Sequence, residues 1–245
     1  MDKKNTLLLT IIAIATLLVA IVGATFAYFS ASSNTADTKI EVTTPGKESA
    51  TFNTNGNLTL NITKEEMQQK GQDVSYNANK DKLTSTVVYS YNAPAETPEA
   101  KTTSDFCYSV KVVYNTGGIN KVTTHPKDAQ LELLVNKAES ETGIETSAER
   151  IDITGPAVSV TKYISTTKNL VDPETGVPDG CIHKITVPND GTIKTDYWYF
   201  DMIYHNYMGY DQTKDVEGDT TNGHANKTAT ATFTFKTETC PTATP

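Results

Sequence analysis

Basic clusters are scarce in this chain. One arginine, Arg150, stands among 245 residues, no basic run follows Lys4, and the formal net charge is −8. Phosphate binding draws on grouped Lys and Arg, so nucleic acid and anionic lipid are excluded as partners. Motif spacing is lacking too. The four histidines, His125, His183, His205 and His224, form no H-E-x-x-H, which would put two imidazoles on one zinc beside a general base. The three cysteines, Cys107, Cys181 and Cys240, form no C-x-x-C, and no G-x-S-x-G turn presents a nucleophilic serine. Helical periodicity is almost absent after residue 30. Only Lys64 to Lys70 reads as helix, with Thr63 and Glu66 spaced as a capping box. A βαβ architecture needs helices between its strands and is therefore excluded.

What is present is a strongly marked N-terminus. Lys3 and Lys4 open it, Leu7 to Val22 carries no charge, and small residues stand at Thr25 and Ala27. A basic start, an apolar stretch and a small-residue site are the parts of an export signal, with cleavage expected between Ala27 and Tyr28. The apolar run, continued to Phe29, also approaches the ~20 residues that span a bilayer, so residues 7–29 are the one expected membrane contact if the cut is not made. Either outcome places the remainder outside the cytoplasm.

That remainder is rich in threonine and in other β-branched and aromatic residues, which suit a pleated, half-buried surface. Thr228 to Phe235 alternates Thr with Ala or Phe, a strand signal that a glycosylated stalk has no reason to keep. Further strand signals run over 57–62, 83–91, 106–114, 130–136, 158–164, 182–187 and 197–205, separated by Gly, Asn and Asp clusters. The expected fold is all-β: a single antiparallel β-sandwich over 50–240, after a signal helix at 1–27 and a flexible segment or loose edge strand at 28–49, with a tail at 241–245. Period-two reading puts Trp198, Phe200, Met202 and Tyr204 on one face and Tyr197, Tyr199, Asp201, Ile203 and His205 on the other, with the second face expected to meet solvent.

Three stretches carry a resemblance. Gly23-Ala24-Thr25-Phe26-Ala27-Tyr28-Phe29-Ser30 is similar to the signal end of exported proteins cut by a SipW-type signal peptidase. Ala50-Thr51-Phe52-Asn53-Thr54-Asn55-Gly56-Asn57-Leu58-Thr59-Leu60 resembles the first mature block of the TasA/camelysin-like family, and the aromatic strand Tyr197 to His205 resembles a later one. The resemblance covers about a quarter of the chain and implies a jelly-roll topology. It also implies a non-enzymatic surface or extracellular-matrix protein of a Gram-positive bacterium, one that contributes to biofilm as a fibre subunit. Self-association would then use a donor segment carrying Tyr28, Phe29, Ile40 and Val42, freed by the cut.

Two other functions remain open from the residues. An adhesin or carbohydrate-binding module would display Tyr197, Tyr199, Tyr207 and Tyr210, since aromatic faces stack on sugars. The family also includes camelysin, described as a metalloprotease, whose zinc ligands the scattered histidines do not supply. No catalytic residue, metal ligand or cofactor is assigned. Acidic loops at Asp172, Glu174 and Asp179, and at Asp211, Asp215, Glu217 and Asp219, leave a structural calcium as the one candidate ion. Export favours oxidation, and the odd cysteine count allows one disulfide, with the pair Cys107–Cys240 preferred and Cys181 left over.

Overall fold

The computed structural model describes residues 40–44, 48–54, 57–62, 74–77, 82–94, 101–120, 129–206 and 223–241. All lie in one compact unit, Ala36–Pro245. The signal residues, Tyr28, Phe29, the expected helix at 64–70, the Asp211–Asp219 loop, Tyr207 and Tyr210 fall outside the described residues.

The described elements are all strands: β1 Ile40–Thr44, β2 Glu48–Thr54, β3 Asn57–Ile62, β4 Val74–Asn77, β5 Leu83–Tyr91, β6 Thr103–Asn115, β7 Leu131–Ala138, β8 Glu149–Asp152, β9 Ser159–Ile164, β10 Leu170–Val171, β11 Ile182–Pro188, β12 Ile193–Asn206 and β13 Lys227–Glu238. Every pairing is antiparallel. One sheet runs β1-β2-β5-β12-β7-β8, with β4 also on β12; the other runs β10-β9-β6-β13-β3, with β11 also on β6.

The two sheets share one core because their strands alternate. In β13, Ala229, Ala231, Phe233 and Phe235 are buried while the intervening threonines are mostly exposed. In β5, Leu83, Val87, Tyr89 and Tyr91 point inward, and the stiff β-branched residues between them suit the pleat. Rings join the layers: Phe200 stacks on Phe233 with centroids 3.8 Å apart, and Trp198 meets Phe235 edge-on at 5.9 Å. Such pairs add to the large apolar area each ring removes from water. Asn115 to Ile119 forms the turn after β6, closed by Ile119 N–H donating to Thr116 O. A side chain at Gly117 would stand 2.3 Å from Thr228 O, so only glycine fits this left-handed position.

Three expectations need correction. The sandwich begins before residue 50, because β1 and β2 pair from Ile40↔Phe52 to Thr44↔Glu48 and β2 in turn pairs β5. The seven-residue β2 and the short strands β4, β8 and β10 lie outside the expected strand spans, the last three being too short for alternation to show. Finally, the second face of β12 is not solvated. The β7–β8 connection folds over it, so Ile144 packs with Leu134, Tyr199 and Ile203 in a small second core, and Tyr197 leans against it.

Candidate functional site

Two inward-facing positions break the apolar pattern. In β7, Leu131, Leu133 and Val135 are followed in phase by Lys137; in β12, Asp196 precedes Trp198, Phe200, Met202 and Tyr204 in phase. Lys137 lies opposite Trp198 in the ladder, which brings its amine back to Asp196. Lys137 Nζ donates to Asp196 Oδ2 at 3.0 Å, with the lysine side chain 27% exposed and the carboxylate 10%.

The opposite sheet completes the niche. Tyr108 of β6 reaches across the core and its hydroxyl donates to the same Asp196 oxygen at 2.5 Å. Trp198 Nε1–H donates to the Tyr108 oxygen at 3.1 Å. Burial, reinforced by the Asp196 charge, raises the Tyr108 pKa well above its usual value and keeps the phenol protonated. His183 of β11 stacks on Tyr108 at 5.3 Å and meets Trp198 edge-on at 4.9 Å. Its Nε2 lies 3.0 Å from Ile164 O, and a carbonyl can only accept, so Nε2 carries the hydrogen. Nδ1 is left buried with no hydrogen-bond partner. Burial pushes the imidazole pKa down to about 4, helped by the Lys137 charge, so the ring is neutral at ordinary pH. The arrangement holds one amine against one carboxyl group, beside a phenol donor and a neutral imidazole.

Other clusters are simpler. His205 Nε2 and Arg150 Nη1 both approach Glu132 Oε2, at 2.7 and 3.2 Å, and the His205 contact contributes most to lowering the Glu132 pKa. His224 is fully buried, its Nδ1 3.0 Å from the Tyr204 hydroxyl, and burial lowers its pKa to about 4.

Cys107 and Cys240 form a disulfide, with Cα atoms 5.1 Å apart, that ties the end of the chain beyond β13 to β6. Cys181 is free and buried, and burial raises its thiol pKa.

The aromatic platform is corrected at its best-placed member. Tyr199 is 3% exposed beneath the β7–β8 connection, and its hydroxyl donates to buried Asp201 at 3.0 Å. Tyr197 is half-buried against the same cluster. Ile40 and Val42 lie in β1, opposite Phe52 and Ala50 in register. Asp172, Glu174 and Asp179 are exposed, with Asp172 accepting from Lys162 at 2.6 Å. Among the described residues, no three His, Cys, Asp or Glu side chains gather as a metal site.

The Lys137–Asp196–Tyr108–His183 niche was missed in the sequence, although a signal exists: a charge in phase with the core on each of two strands. No protein-family model matches the chain, and a search of curated proteins finds no match either.

Proposed function

We propose that this chain is an exported, non-enzymatic surface or extracellular-matrix protein, built as a jelly-roll sandwich behind an N-terminal signal helix and acting as a fibre subunit. The observation that supports it is β1. Among the described residues this five-residue strand ends its sheet, paired on one side with β2 and joined to it through Pro45, Gly46 and Lys47. Its backbone partners would be satisfied equally by the same strand of a neighbouring copy, and a short hinge favours such exchange. Repeated head to tail, that contact is heterologous and extends into a filament. Cleavage after Ala27 would leave residues 28–39 as a free lead into the strand.

The test compares purified chain starting at Tyr28 with a version starting at Lys47, by light scattering and negative-stain microscopy across a wide concentration range. Filaments are expected from the first and none from the second. A first version that stays monomeric at every concentration overturns the fibre reading. N-terminal sequencing of the natural product tests the export step: Tyr28 is expected, and an intact Met1 would replace the released subunit with a tethered one.

A further inference from the structure

We propose that Lys137 and Asp196 condense to an intramolecular amide, cross-linking β7 to β12 inside the sandwich. The reacting groups already touch, Nζ to Oδ2 at 3.0 Å, and both strands are fixed by an eight-residue antiparallel register. Holding two groups in reacting geometry gives effective molarities that reach roughly 10⁵–10⁸ M, which shifts an amide equilibrium that is unfavourable between free molecules in water.

The step balances without any outside reagent. The Lys137 ammonium passes one proton to the Asp196 carboxylate across the existing hydrogen bond, giving a neutral amine and a carboxylic acid. The amine lone pair attacks Cγ and forms the C–N bond. The Cγ–O bond then breaks, and that oxygen leaves as water with the acid proton and one amine proton. Two charges become one neutral amide, which removes the desolvation cost of an ion pair placed beside Tyr108, Trp198 and His183.

The surroundings suit the reaction. The Tyr108 hydroxyl, 2.5 Å from an Asp196 oxygen and itself fixed by Trp198 Nε1–H, is placed to stabilise negative charge on an oxygen of the tetrahedral intermediate. His183, stacked on Tyr108 at 5.3 Å, helps hold the phenol in place, so Tyr108 and His183 act here as positioning groups.

Mass spectrometry of the full chain decides the matter. Tryptic digestion should give a branched species joining the peptide that contains Lys137 to the one that contains Asp196, lighter than their sum by one water. Lys137→Arg keeps the ion pair but cannot form the amide, and it should release the two peptides separately. Tyr108→Phe, with folding checked by circular dichroism, should slow appearance of the branched species by about tenfold or more through loss of the oxyanion donor. Recovery of both unmodified peptides from wild-type protein, even after prolonged incubation of the folded chain, overturns the proposal. So does a branched species that persists in Lys137→Arg.

Discussion

Two neutral imidazoles locked in the core should make this sandwich acid-sensitive well above the range in which its carboxylates titrate. His183 is 1% exposed and His224 is fully buried, and each has its pKa lowered from 6.5 to about 4. Unfolded, each takes a proton as pH falls through 6.5; folded, each stays neutral until about 4. The unfolded state therefore binds more protons between those values, and stability must fall as pH drops through that window and level off below it. Moving from pH 7 to pH 5 should cost about 2 kcal/mol per histidine, about 4 kcal/mol for the pair. Glu132 contributes in a lower window: its folded pKa is depressed, so its stabilisation is present above 4.5 and is lost only as pH falls further. The assay is urea unfolding at pH 7 and pH 5 on wild type, His183→Phe and the double variant with His224→Phe. Phenylalanine keeps a flat ring against Tyr108 but cannot titrate. The single variant should lose about half of the pH effect and the double variant nearly all of it. A wild-type slope retained in the double variant would refute the assignment, as would His183 and His224 ring protons titrating near 6.5 by NMR.

The remaining predictions concern single contacts. Tyr108→Phe removes the donor to Asp196 and the acceptor of Trp198 Nε1, and should cost about 2–4 kcal/mol in equilibrium unfolding, since both partners stay buried. Replacing Cys107 and Cys240 by serine opens a cross-link between positions 133 residues apart. It should lower stability by about 3–5 kcal/mol, read as a shift of denaturation midpoint. Gly117→Ala pushes a methyl group against Thr228 O at positive φ and should cost about 2–3 kcal/mol, read by thermal unfolding, whereas alanine at exposed Gly180 should cost less.

Most long strands were legible because their burial alternates, β2 being the exception. The expected spans 57–62 and 83–91 coincide with β3 and β5, and the spans in β6, β7, β9, β11, β12 and β13 differ by a few residues at their ends. β8 was hidden for a physical reason: Glu149, Arg150, Ile151 and Asp152 form a charged edge whose pairing comes from β7, not from any pattern of its own. Tyr199 misled because period two assigns a face but says nothing about what covers it. The cover comes from Ile144, with Ala148 beside it, in an otherwise polar connection where a lone large apolar residue between Gly143 and Glu145 gives no periodic signal. Asp196 and Lys137 were visible as charges in phase with core positions, but their pairing needed the register of β7 against β12.

That register also bears on how copies of the chain would meet. The sheet that contains β1 has two ends of unlike character. At the β8 end, four residues include Glu149, Arg150 and Asp152, and Arg150 is engaged with Glu132 on β7. Charge and shortness are the devices by which an edge refuses another strand. At the β1 end, Ile40, Val42, Thr43 and Thr44 surround the single charge of Glu41, a composition of high β-propensity without that protection. Edge-to-edge stacking through β8 would have to take three charged side chains out of water, and that desolvation opposes the gain in backbone bonds. Exchange of β1 adds no such cost, because each copy gives up the backbone bonds to its own β1 and regains them with its neighbour's. On the proposed fibre reading the contact surface would lie at the β1–β2 boundary, and a charge placed at Val42 should weaken assembly far more than removal of the charge at Arg150.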